Sequence, residues 1–173
     1  MKETVSWLIH IVVAVLIGLL IVTFVAQMTV VKGQSMYPTL QDGNRLLIEK
    51  ISPKINMLHK GDIITINTTV PGNIKETIIK RVIAVENDTV EIKDGKVFVN
   101  DKPTDEPYIY GAVTNPNQEQ YSKMKIQKGQ VYVLGDNRLN STDSRIIGPQ
   151  EISNVTGKVM VRVYPFNEIG KVP

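Results

Sequence analysis

From Val5 to Val31 the chain carries no Asp, Glu, Lys or Arg, an uncharged run of 27 residues. It contains Trp7-Leu8-Ile9, Ile11-Val12-Val13 and Leu16-Ile17-Gly18-Leu19-Leu20-Ile21-Val22. A helix needs about 20 apolar residues to cross the hydrocarbon core of a bilayer. The run is long enough, and it is apolar on all sides rather than striped like a helix on a globular core. A cleavable secretory signal would have an apolar core of about 7–15 residues and then a small-x-small site. Here the stretch is longer and runs on into Val25-Ala26-Gln27-Met28. The sequence therefore predicts an uncleaved transmembrane anchor over residues 7–28, behind a leader of residues 1–6. Lys2 in the leader, offset by Glu3, favours a cytoplasmic N-terminus. Residues 29–173 then form one extracytoplasmic domain on the outer face of the cell membrane.

Beyond the anchor the pattern changes to short runs rich in Val, Ile and Thr, punctuated by Gly, Pro, Asn and Asp. Strands are predicted at 45–48, 62–66, 76–85, 89–92, 96–100, 130–134 and 158–164. Asp94-Gly95 separates two of them and is a hairpin signal, because the turn needs positive φ. No long amphipathic helix is evident in this part. The expected fold is mainly β, an antiparallel coiled sheet or barrel behind one N-terminal transmembrane helix. Residues 103–128 are polar and rich in turns, and read as a small insertion.

Several chemistries are excluded early. The chain has no cysteine and only two histidines, His10 and His59, so neither a thiolate nucleophile nor a zinc site is expected. No glycine-rich phosphate loop precedes a helix, and no cofactor is implied. The net charge of +3 is slight and lacks a basic run, so nucleic acid is not an expected partner. His10 falls in the anchor and His59 in a turn-like stretch. A hydrolase built on this chain therefore needs a base other than histidine.

Ser35 sits in Gly33-Gln34-Ser35-Met36-Tyr37-Pro38-Thr39, directly after the membrane exit. A serine between Gly and Pro is ordinarily a turn residue. Such a turn can also present a hydroxyl and its own N–H toward one point. Lys80 lies in Thr77-Ile78-Ile79-Lys80-Arg81-Val82-Ile83. On a strand Lys80 shares a face with Ile78 and Val82, and Arg81 shares the other with Ile79 and Ile83. A cation on such a face is either a gatekeeper on an edge strand or a desolvated amine. A free lysine, with a pKa of about 10.4, is almost wholly protonated at neutral pH. Lowering that pKa by about 3 units makes it a competent base and corresponds to about 4 kcal/mol. A desolvated lysine beside a serine hydroxyl is one alternative to histidine. The third segment, residues 135–145, follows the apolar run 131–134 and is dense in hydrogen-bonding groups. Asp143 with Arg145, or Asp136 with Arg138 or Arg145, can make charge-assisted pairs that fix its shape.

Together these segments resemble the bacterial type I signal peptidases, in the style of Gram-positive members. The matching pieces are Ser35-Met36-x-Pro38-Thr39, Lys80-Arg81-Val82-Ile83 and Gly135-Asp136-Asn137-Arg138-x-x-Ser141-x-Asp143-Ser144-Arg145, in the family's order. The resemblance extends to 99–101, 105–108 and 164–166. It implies Ser35 as nucleophile, Lys80 as general base and Ser141 as the hydroxyl that orients Lys80. The oxyanion would be held by the Ser35 N–H and a second donor near Gly33, necessarily backbone if it comes from that residue. Met36 would shape the floor of the site, with Asp136, Asp143 and Arg145 as supports. The implied substrates are secretory preproteins with small residues one and three positions before the cut, met at a lipid surface. Two departures stand out: Ala84-Val85-Glu86-Asn87-Asp88 replaces the usual glycine turn, and Leu139 stands where a polar residue is common. Asn87 can take the left-handed conformation, so a hairpin is still expected there. Two other readings fit parts of the pattern: a self-cleaving Ser–Lys protease, which the anchor disfavours, and a non-catalytic anchored assembly protein, which would not need both residues.

Overall fold

The computed structural model describes residues 2–20, 25–111, 114–115 and 118–173. Helix α1 (Lys2–Leu20) opens the chain. Its side chains from Ser6 onward are exposed on every side, so none is packed into the core. No helix among the described residues is long and apolar enough to cross a membrane. The expected anchor is divided: residues 7–20 are helical, 21–24 lie outside the described residues, and Ala26 to Met28 belong to strand β1 (Ala26–Val30). The reason is a partner for the backbone. β1 pairs antiparallel with β2 (Arg45–Glu49), Ala26 opposite Glu49 and Val30 opposite Arg45.

The remaining strands are β3 (Ile63–Val70), β4 (Ile74–Ala84), β5 (Thr89–Lys93), β6 (Lys96–Val99), β7 (Lys102–Pro103), β8 (Lys123–Lys125), β9 (Gln130–Leu134), β10 (Gln150–Glu151) and β11 (Val155–Tyr164). Two single-turn helices, α2 (Ile51–Lys54) and α3 (Ser144–Ile147), lie between them. The strands form two antiparallel sheets. The larger runs β1-β2-β11-β3-β4-β9-β10 and the smaller β7-β6-β5-β8. The fold is mainly β, as the sequence indicates.

Strands β4 and β9 are covered on both faces, which explains their unbroken apolar runs. Ile78, Val82, Val131 and Val133 join Leu58, Ile64, Ile66, Ile152 and Val155 in one core. Ile83, Tyr132 and Leu134 turn the other way and meet Val90, Ile92, Val97, Val99 and Ile126 of the small sheet. A third core of Val31, Met36, Leu40, Leu46, Ile48, Ile63 and Val159 lies under the segment that carries Ser35.

The Asp94-Gly95 turn has φ of 50° and 74° and joins β5 to β6, with Lys93 opposite Lys96. Asn87 is left-handed, φ 71°. That turn leads from β4 to β5, which sit in different sheets, so it joins two layers rather than a hairpin. The described part of residues 103–128, expected as a small insertion of the main domain, meets both sheets. β8 completes the small sheet against β5. Residues 104–110 return to the large sheet, where Tyr110 N–H donates to the Asp136 carbonyl at 2.8 Å.

Gly157 of β11 packs tightly against β2. A Cβ there would lie 2.8 Å from Ile48 Cδ1 and 2.9 Å from the Glu49 carbonyl oxygen. The Glu49 backbone is held by pairing on both sides. Gly157→Ala is expected to destabilise the fold by about 1–3 kcal/mol through overpacking. The check is a lower urea midpoint at unchanged m value.

Candidate active site

The Ser35 turn rests on Met36 and Leu40, which are sunk in the third core. Its backbone is also pinned from residues 135–145. Asn137 N–H donates to the Ser35 carbonyl at 3.0 Å, and Asn137 Nδ2 to the Gln34 carbonyl at 3.1 Å. The Ser35 N–H has no acceptor among the described residues.

β4 brings Lys80 to this turn. Nζ lies 2.7 Å from Ser35 Oγ and donates to the Ile79 carbonyl at 3.0 Å. Lys80 is only 3% exposed. Burial pushes its pKa down from 10.5 to about 8. Asp143, Glu76 and Asp136 pull against that fall, while Arg145 adds to it. Arg81, on the opposite face, is equally buried at 2%. Both cations of the pair are therefore inside, where the alternation required at least one of them to lie on an apolar face.

The structure pairs Asp136 with Arg81, not with Arg138 or Arg145. Arg81 Nε meets Oδ1 at 2.9 Å and Nη2 meets Oδ2 at 2.7 Å, and Thr39 Oγ1 donates to Oδ2 at 2.5 Å. Arg81 Nη1 also donates to the Gly61 and Pro173 carbonyls. The Tyr108 ring lies 3.9 Å from the Arg81 guanidinium. Asp143 takes a bidentate pair from Arg145, Nε to Oδ1 and Nη2 to Oδ2 at 2.8 Å each, and accepts the Gly135 N–H. Arg138 is bidentate to Glu106 at 2.9 and 2.6 Å and reaches Thr114 Oγ1. Each buried guanidinium has its own carboxylate, which offsets part of the pull of Asp143 and Asp136 on Lys80.

An open cleft of about 980 Å3 leads to this pair. One wall is Gln27 to Val30 of β1, and another is Lys75 to Lys80 of β4. β4 pairs with β9 only from Arg81 onward, so its earlier residues have β3 on one side and the cleft on the other.

Residues 4–164 match the family described as signal peptidase, peptidase S26. The chain belongs to the signal peptidase family, and is a serine endopeptidase of its bacterial type I. Signal peptidase I of Leptolyngbya laminosa is 37% identical over 164 residues, which cover 92% of this chain and 79% of that protein. Signal peptidase IB of Staphylococcus aureus is 36% identical over 182 residues, covering 96% and 93%. A solved signal peptidase I from Enterococcus faecalis V583 is 27% identical, with a TM-score of 0.46, and covers 58% of this chain and 94% of that one.

Two supports implied by the family resemblance are arranged differently here. The Gly33 N–H is committed to Asp42 Oδ1 at 2.7 Å, beside Val31, whose backbone pairs with Gly43 and Asn44. It is not free to face an oxyanion. The Ser141 hydroxyl, expected on Lys80, is buried without a hydrogen-bond partner among the described residues. It lies over Gly135, where a Cβ would come within 2.6 Å of Ser141 Cβ and 2.5 Å of the Ser35 carbonyl. Thr39, Glu106 and Tyr108 also belong to the site, and the sequence does not single them out as individual site residues. Their signal is faint, since each is distant in sequence from the arginine or aspartate it meets.

Asp136→Asn leaves the Arg81 guanidinium buried without its counter-charge, and is expected to cost about 3–5 kcal/mol by chemical denaturation. Lys80→Met should act in the opposite sense. The unfolded chain holds the lysine proton to about 10.5 and the folded chain releases it near 8. Wild-type stability from this group therefore rises with pH between those values. The methionine variant should be more stable at pH 7 by up to about 3 kcal/mol, with the gain fading across that window.

Proposed function

We propose that the enzyme cleaves signal peptides from exported preproteins with Ser35 as nucleophile and Lys80 as general base. The observation that carries this is the 2.7 Å contact between a buried amine and the serine hydroxyl. Near pH 8 a large fraction of Lys80 is neutral, and its lone pair accepts the Ser35 proton. Ser35 Oγ bonds to the scissile carbonyl carbon, and the C–N bond breaks as Lys80 passes the proton to the leaving amine. Water then gives a proton to Lys80 and attacks the ester, the ester C–O bond breaks, and Lys80 returns that proton to Ser35 Oγ. The unoccupied Ser35 N–H supports one oxyanion contact. The chemistry needs no metal or cofactor.

The cleft supports binding of the precursor as an added strand against the free edges of β4 and β1. Val30, Ile48, Ile78 and Ile79 line it, and suit small side chains one and three positions before the cut. In this reading the apolar segment that contains α1 anchors the protein in the cell membrane, N-terminus cytoplasmic. The precursor's own apolar signal then shares the bilayer, which raises its effective concentration at the cleft.

Preprotein cleavage by wild type, Ser35→Ala and Lys80→Ala tests this. Both variants are expected to lose activity by a factor of about 10³ or more. Normal processing by either variant overturns the assignment. The kcat/KM profile should fall on the acid side with an apparent pKa near 8.

A further inference from the structure

Beside Ser35, and outside the cleft lining, lies an exposed apolar cluster that the proposed mechanism leaves unused. Tyr37, two residues after Ser35, is 38% exposed and Tyr110 is 48% exposed. Their rings meet edge to face at 5.0 Å. Leu139 is 72% exposed, the largest exposure of an apolar side chain on the loops around the site. It is seated over Gly111, where a Cβ would lie 2.8 Å from Leu139 Cγ. The three are fixed relative to the catalytic loop. The Tyr110 carbonyl accepts the Arg138 N–H at 3.1 Å, and its N–H is given to Asp136. A soluble loop gains nothing by holding a leucine and two aromatic rings in water.

The cluster is carried by the two segments that also contribute to the cleft. Ser35 and Asn140 line the cleft, and Tyr37 and Leu139 stand one or two residues beyond them. β1, which follows the apolar N-terminal segment, lies on the cleft side. In the proposed function, on which this inference rests, a precursor's apolar signal arrives from that side. The chain after the cut must then leave past Ser35, over the cluster.

We infer that Tyr37, Tyr110 and Leu139 form a subsite for apolar side chains in the first residues after the cut, so that the enzyme also selects precursors by their mature N-terminus. Leu139 is the discriminating residue. Tyr37 and Tyr110 are aromatic, and an apolar side chain laid across them and Leu139 removes surface from water on both partners. Bound in both ground and transition states, it acts chiefly through KM.

The test uses the full chain in detergent and two precursors identical up to the cut. One carries Leu or Phe at the second and third positions after it, the other Ser. Wild type is expected to favour the apolar precursor about three- to tenfold in kcat/KM. Leu139→Asn should bring that ratio close to one, and Leu139→Phe should preserve or raise it. A wild-type ratio near one overturns the inference, as does a ratio that Leu139→Asn leaves intact. The inference is equally overturned if Leu139→Asn changes only binding to lipid vesicles or the oligomeric state. Ser35→Ala run on both precursors separates the two claims. If it still cleaves, the proposed mechanism itself fails. If it is inactive while the ratio is flat, the subsite alone fails.

Discussion

A lysine amine kept dry beside a serine hydroxyl is the constraint on which the rest of this structure turns. Lys80 lies between Ile78 and Val82, both part of one core, and burial is the main cause that moves its pKa down to about 8 against the pull of nearby carboxylates. Two buried carboxylates close by would undo that shift by holding the ammonium charged. Arg145 clamps Asp143 and Arg81 clamps Asp136, each through two nitrogen–oxygen contacts. The carboxylates can then shape the loop at 135–145 while exerting a reduced field on the amine. Buried ion pairs rarely add net stability. Here their physical effect is to position the site and hold its electrostatics near neutrality.

The architecture supplies this environment economically. β4 and β9 are sandwiched, so successive residues of β4 face different cores. Lys80 reaches Ser35 on one face, while Arg81 binds Asp136 of the 135–145 loop from the other. The small sheet contributes through residues 104–111, which cross back to the site. Glu106 holds Arg138, Tyr108 covers Arg81, and Tyr110 is hydrogen-bonded between Asp136 and Arg138. Burial, with Glu106 adding to it, pushes the Tyr108 phenol upward, so that ring stays a neutral face over the guanidinium. The polar stretch that reads as an insertion is thus a strap tied to the active-site loop.

What was legible in the sequence follows a simple rule: local patterns could be read, and pairings between distant segments could not. The seven predicted strands all appear, with ends moved by a few residues, because alternation and β-branched runs are local. The Asp94-Gly95 turn is likewise local. β1, β7, β8 and β10 were not predicted, since each is short and owes its extended form to a neighbour. Ala26 to Met28 are as compatible with a helix as with a strand until β2 lies alongside. The arginine partners illustrate the same limit. Arg81 and Asp136 are far apart in sequence, so nothing in either segment identifies the other.

The sequence by itself determined the family, the mainly β character, the long uncharged N-terminal run and the few residues able to do chemistry without histidine or cysteine. These are matters of composition, periodicity and ordered motifs, which one chain carries in full. Only the tertiary structure decided that Lys80 is buried within reach of Ser35, that Gly33 spends its N–H on Asp42, and that Leu139 stands exposed beside two tyrosines. Burial and distance depend on which segments pack together, and packing is a property of the folded chain as a whole.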